Sequence, residues 1–306
     1  MHVFVTGATG FVGSAVVQEL IGAGHTVLGL ARSDAGAAAL AAKGAEVLRG
    51  SLEQLEVLRQ GAQQADGVIH TGFNHDFSRY AEACALDRRA IETIGAVLEG
   101  SARPLVVTGA IAAIAPGRVA REDDAPHPVS ATFPRASEHA AAALAARGVR
   151  ACTVRLPPSV HDAGDHGFVP MLIGIAREKG VSACIGDGAN RWASVHRRDA
   201  ARVYRLALER AAGGACYHAV ADEGVPLAQI AAVIARCLGV PLERKSADDA
   251  TQHFGFLARF AALDCAASSA QTHAMLGWEP RECTLLEDID SERYFSAAVI
   301  ENTIGV

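Results

Sequence analysis

Three glycines spaced three apart, Gly7, Gly10 and Gly13, sit in the run Val3-Phe4-Val5-Thr6-Gly7-Ala8-Thr9-Gly10-Phe11-Val12-Gly13, between a β-branched stretch and a helical one. No other feature limits the fold as much. Gly7 and Gly10 permit a tight turn and close approach of an anion to the backbone, while Gly13 lets the following helix pack on the sheet. The helix N-terminus offers free N–H groups, so the segment is a dinucleotide-binding fingerprint, with Thr9, Phe11 and Val12 among the expected cofactor contacts. A plain strand-to-helix turn is the competing reading, and the strand–glycine–helix context weighs against it.

The rest of the first half supports this. Short β-branched runs near 2–6, 26–31, 45–48, 67–71, 104–108 and 150–156 alternate with helical stretches near 11–23, 34–43, 53–64, 78–99 and 136–147. Such alternation specifies parallel pairing. Continuously apolar strands such as Pro104-Leu105-Val106-Val107-Thr108 require cover on both faces. The expected fold is α/β, a doubly wound parallel sheet (Rossmann) with a smaller C-terminal substrate lobe. The nucleotide-binding domain spans 1–160, completed by about 190–220, and 161–306 is mainly the lobe.

Composition removes other classes. A formal charge of −6 lacks the basic excess that nucleic-acid binding requires. Seven cysteines, odd in number and without a Cys-x-x-Cys, argue for reduced thiols rather than a disulfide framework or a metal site. The first strand starts at residue 2 with no leader, and no apolar run approaches the roughly 18–20 residues of a membrane span. The expectation is a cytoplasmic protein with a small-molecule substrate, no nucleic-acid or membrane partner and no metal. Whether it forms a homo-oligomer stays open.

At the end of the second strand, where a carboxylate would take the adenosine ribose of NAD, the chain reads Leu30-Ala31-Arg32-Ser33. A guanidinium there suits a 2′-phosphate, so NADP (NADPH) is preferred over NAD, with Arg32 and Ser33 as contacts. Asp34 opposes this unless it turns away to cap the next helix.

The chain resembles the short-chain dehydrogenase/reductase superfamily, in its extended epimerase/dehydratase branch, over nearly its whole length. Beside the fingerprint, the likeness rests on Ala65–Gly72, Val154–His161, Gly186–Trp192, Val195–Ala201 and Leu276–Pro280. It implies that Ser51 and Leu52 border the adenine, Thr71 and Gly72 the ribose, and Pro157, Ser159 and Val160 the nicotinamide. It also implies a Ser or Thr, a Tyr and a Lys as catalysts, and there the chain departs from the pattern. Residues 81–178 contain neither Tyr nor Lys, and Pro134 and Glu138 occupy the expected Tyr-x-x-x-Lys positions. Gly109 or Ala110 stands at the Ser position, leaving Thr108 as the nearest hydroxyl, for cofactor contact or catalysis.

Proton transfer then falls to another residue. The strand-end loops offer His70, Asn74 and His75, then His161, Asp162, Asp165 and His166, and finally His196. His161 and His166 are favoured beside the nicotinamide edge, although Asp165 also reads as a helix cap and each His as a loop residue. Phe73, Phe77, Phe168 and Trp192, with Asn74, His75 and His196, are candidates for the substrate wall. The aromatic stretch at 254–260 lines that site or an oligomer contact. The reading is an NADP-dependent oxidoreductase of a small carbonyl or alcohol. A non-catalytic NAD(P)-binding sensor, or a non-redox isomerase or lyase, remains on the same residues.

Overall fold

The computed structural model describes residues 1–112, 114–210 and 212–295, with only the backbone described at residue 77. The strands are β1 (His2–Thr6), β2 (Thr26–Ala31), β3 (Glu46–Arg49), β4 (Gly67–His70), β5 (Pro104–Ala110), β6 (Arg150–Leu156), β7 (Ser159–His161), β8 (Ser182–Ile185), β9 (Arg191–His196), β10 (Cys216–His218), β11 (Asp222–Pro226) and β12 (Leu242–Lys245). The helices are α1 (Phe11–Gly22), α2 (Asp34–Ala42), α3 (Leu55–Gln64), α4 (Tyr80–Leu98), α5 (Ser137–Ala146), α6 (Phe168–Lys179), α7 (Arg197–Arg210), α8 (Leu227–Leu238), α9 (Ala247–Phe254), α10 (Ala258–Ala261), α11 (Ala270–Leu276) and α12 (Leu285–Ile289).

The central sheet has seven strands in the order β10-β6-β5-β4-β1-β2-β3, and every pairing is parallel. Side-chain alternation divides its apolar residues between two layers. Val3 and Val5 join α1 and α7 in one core through Val16, Leu20, Val203 and Tyr204. Phe4 and Leu105 join α3, α4 and α5 in the other through Leu58, Ile94 and Leu144. A Cβ at Gly61 would lie 2.5 Å from the Phe4 ring, so that glycine sets how closely α3 approaches β1. This is the doubly wound arrangement read from the sequence.

Past β6 the chain builds a second body without leaving the first. β7, β9 and β11 form a three-stranded sheet and β8 and β12 a two-stranded one, covered by α6, α8, α9 and α12 around Trp192, Leu227, Ile230, Phe254 and Leu285. α7 then returns to pack on α1, and β10 adds the last strand beside β6. Of the aromatic stretch at 254–260, Phe254 belongs to this second core, Phe260 stacks on Phe168, and Phe256 stands exposed. Among the described residues no helix is long and apolar enough to cross a membrane.

Candidate cofactor site and active site

The glycine loop closes on itself and on β4. Gly7 has φ +66°, and a Cβ there would lie 2.6 Å from the Gly72 nitrogen, so both conformation and space require glycine. The Gly10 N–H donates to the Gly7 carbonyl at 2.9 Å, and a Cβ on Gly13 would come within 2.1 Å of that same oxygen. The Thr71 hydroxyl donates to the Thr6 carbonyl at 2.8 Å, and the Gly72 N–H to the Thr6 hydroxyl at 3.3 Å. α1 starts at Phe11 with Gly10 as its N-cap, which has no side chain to offer the first N–H groups. The helix start therefore faces the loop with donors available to a pyrophosphate. Thr9 is exposed, Phe11 and Val12 half-buried. Leu52 reaches to 3.1 Å from where a Gly72 Cβ would lie, so it borders the loop, and the Ser51 N–H is tied to Gln54 at 3.0 Å.

At the adenosine end Arg32 and Ser33 are exposed. Ser33, not Asp34, caps α2, its hydroxyl accepting from the Gly36 N–H at 3.1 Å. The Asp34 carboxylate is turned onto Arg49 at 2.8 Å, and Arg49 also donates to the Ser33 carbonyl. Arg49 lies opposite Ala31 in the β2–β3 register, and its guanidinium closes on Ser33 and Asp34 just past Arg32. The sequence reading missed Arg49; the signal was a second cation closing the strand that pairs with β2.

Where the superfamily carries its catalysts, this chain carries packing. Thr108 donates its hydroxyl to the His70 carbonyl at 2.8 Å and is hydrogen-bonded to the buried Tyr204 at 2.8 Å, so it ties β5 to β4 and α7. Glu138, at the Lys position, accepts from the buried Arg155 at 2.8 Å. Arg155 also contacts His218 and donates to the Asp124 carbonyl. A Cβ at Gly109 would lie 2.6 Å from the Glu138 carboxylate, so the bare backbone at the Ser position leaves room for the acid at the Lys position.

The favoured pair of imidazoles is separated. In β7, Ser159 and His161 share a face, with Ser194 and His196 opposite them on β9. That face lies under α12. His161 is fully buried, bonded to Asp288 at 2.8 Å and edge-on to His196 at 5.4 Å. Burial brings its imidazole down to about 4, leaving it neutral at pH 7. Asp162 is held by Arg197 at 2.8 Å and by His196 at 3.4 Å. Val160 instead packs on the core shared with α1, Pro157 is buried, and the buried Ser159 hydroxyl has no partner among the described residues. His196, Cys283 and Asp288 bring ligand atoms within 4.8 Å of one another, but Arg293 already neutralises Asp288.

Asp165 receives the Gly167 N–H at 2.7 Å, and burial raises its carboxyl to about 7. The native group keeps its proton up to that pH while the unfolded one loses it near about 4, so stability falls as pH rises between these values. Asp165→Asn should therefore melt higher than wild type at pH 8 and alike at pH 4, compared by calorimetry; equal shifts at both would show that ionisation is not the cause.

His166 goes the other way, to the cofactor loop. Its ring meets Phe11 edge-on at 5.7 Å. Across the mouth, His75 packs on Phe73 at 5.2 Å, Phe73 lies 6.1 Å from Tyr80, and the Arg135 guanidinium covers the Phe73 ring at 4.7 Å. Asn74 is exposed and its carbonyl oxygen accepts from the Asp76 N–H; the Phe77 side chain lies outside the described residues. Phe168 and Trp192, 5.8 Å apart, belong to the second core and not to this mouth. Beneath it runs a buried chain: Thr6 to His70 at 2.8 Å, His70 to Asp87 at 3.0 Å, Asp87 to Ser137 at 2.6 Å, and Ser137 to Arg135 at 3.0 Å. Arg135 is the residue sequence reasoning overlooked, although it is the one cation in the segment that should have held Tyr and Lys.

A parallel sheet with a glycine cradle at the end of β1, beside the central β4, is a nucleotide-binding Rossmann architecture. A family model described as the NAD dependent epimerase/dehydratase family matches residues 3–220, and the chain belongs to that family. It is 50% identical to uncharacterized protein C2A9.02 of Schizosaccharomyces pombe, over 96% of this chain and 100% of that one. It is 27% identical to the 4-hydroxy-2-methyl-3-oxo-4-farnesyl-3,4-dihydroquinoline-1-oxide ketoreductase of Stigmatella aurantiaca, over 79% of this chain and 75% of the relative. Among solved structures, DesIV (dTDP-glucose 4,6-dehydratase) from Streptomyces venezuelae, with NAD and DAU bound, shares the fold at a TM-score of 0.76 and 17% identity, over 96% of this chain and 97% of that one. Family membership, with reductases among the relatives, identifies an NAD(P)-dependent enzyme of the oxidoreductase type.

Proposed function

We propose that this chain is an NADP-dependent reductase of a small carbonyl compound, in which proton delivery is not made by a Tyr/Lys pair. The observation that carries it is the glycine cradle with Arg32 exposed at the end of β2 and the Asp34 carboxylate drawn onto Arg49, which closes β3. A 2′-phosphate there gains charge-assisted hydrogen bonds that a free ribose hydroxyl does not. NADP(H) would supply the hydride; the chain's own residues bind and orient it. The Gly7, Gly10 and Gly13 backbone and the start of α1 take the pyrophosphate, and Leu52, Thr71 and Gly72 border the adenosine. Of the two favoured imidazoles, His166 keeps a place at the mouth and is assigned the proton, with His75 facing it; the buried His161 holds α12. Reduction is preferred over epimerisation because a ketoreductase is among the relatives.

Arg32→Ala with Arg49→Ala should weaken NADPH binding about ten- to hundredfold while leaving NADH within about twofold. Fluorescence titration of the reduced nucleotides measures both, and an unchanged NADPH-to-NADH ratio would refute the adenosine-end assignment. Full turnover by a His166→Ala variant would remove that residue from the reaction.

A further inference from the structure

We propose that Arg135 is the receptor for a carboxylate on the substrate, which makes the substrate a short oxo acid; this deepens, and rests on, the reductase reading above. Arg135 is half-buried, and its guanidinium is fixed on three sides. Nε donates to the Ser137 hydroxyl at 3.0 Å, Nη2 to the Thr108 carbonyl at 3.3 Å, and its face lies on the Phe73 ring at 4.7 Å. Ser137 is itself locked by Asp87, and Asp87 by His70, so the placement is carried from the cofactor loop inward. Among the described residues Nη1 has no hydrogen bond or ion pair, and none of their carboxylates lies within ion-pair distance of this guanidinium. Asp87, the acid in this chain, spends both oxygens on His70 and Ser137.

A permanent cation held rigid beside an aromatic ring, with no described carboxylate in ion-pair contact, is pre-organised for one from outside. Its position at the ends of β4 and β5 is where ligands of open α/β sheets bind. His75, which feels the charge of Arg135, adds a ring nitrogen beside it, and the nearby acid, Asp87, is already spent on His70 and Ser137. A single guanidinium matches the single charge of a carboxylate in a two-bond fork.

The test titrates the protein, with and without NADPH, against β-hydroxybutyrate and lactate, using sec-butanol as the uncharged control, in calorimetry. Wild type should bind one of the hydroxy acids and not the alcohol. Arg135→Gln should bind that acid about ten- to hundredfold more weakly, and Arg135→Lys should fall between, since Lys keeps the charge without the fork. NADPH affinity should be the same in all three. Acid binding that is equal in wild type and Arg135→Gln, binding of the alcohol as tightly as the acid, or no binding of either acid to wild type would overturn the proposal. Arg135-dependent acid binding in a protein that takes no NADPH would overturn the cofactor reading and support this one.

Discussion

Replacing Gly13 with Ala should abolish useful cofactor binding, because the added Cβ would stand 2.1 Å from the Gly7 carbonyl oxygen and 2.8 Å from the Thr71 hydroxyl. The first of those neighbours is backbone and cannot rotate away. Either α1 slides off the sheet or the loop opens, and both move the helix start from the anion it faces. Overpacking in a tight site costs about 1–3 kcal/mol, and with a backbone neighbour the upper end applies, so NADPH should bind roughly a hundredfold more weakly. Gly10→Ala is the informative partner. A Cβ there meets only the Gly7 oxygen at 3.2 Å, so the fold should tolerate it and any loss should come from crowding the nucleotide. Equal nucleotide affinity in Gly13→Ala and wild type, read from titration of folded protein, would contradict the loop geometry.

The second large effect is expected at Asp87, one of the few buried acids of the first domain. Its oxygens take His70 and Ser137, and it is 2% exposed. Burial alone would raise the carboxyl, but the hydrogen bond and charge of His70, with Arg135 and Ser137, hold it below its ordinary range. Asp87→Ala orphans both partners in a dry interior and should cost roughly 3–5 kcal/mol. Asp87→Asn can still accept from one and donate to the other, and should cost less. The sign of the pH dependence follows from the lowered carboxyl. Its stabilisation is complete above the unfolded value and is lost as pH falls through the folded one. Denaturant melts from pH 3 to 7 should therefore converge for wild type and Asp87→Asn at the acid end; parallel curves would show that the carboxylate charge does not matter.

The sheet was open to reading because its strands are short, β-branched and continuously apolar, and because glycine at 7 and 13 is needed for steric reasons that act over a few residues. What could not be read depends on pairing between distant segments. Whether His161 joins His166 is decided by β7 lying beside β9, which turns His161 with His196 under α12 while the loop carries His166 back to Phe11. β10 is three residues long and arrives well after β6, too short to show a pattern. The missing Lys was plain from spacing, but its meaning was not: Glu138 makes sense only beside Arg155 and the bare backbone of Gly109. Arg135 was visible as a letter, and only the buried line from Thr6 through Asp87 shows how rigidly it is held.

The most direct test is an equilibrium titration of the intact chain with NADPH and, separately, NADH. The account expects saturable binding of both, with NADPH tighter by about tenfold or more through the guanidiniums at the ends of β2 and β3. Binding of neither nucleotide by folded protein, or tighter binding of NADH, would contradict it.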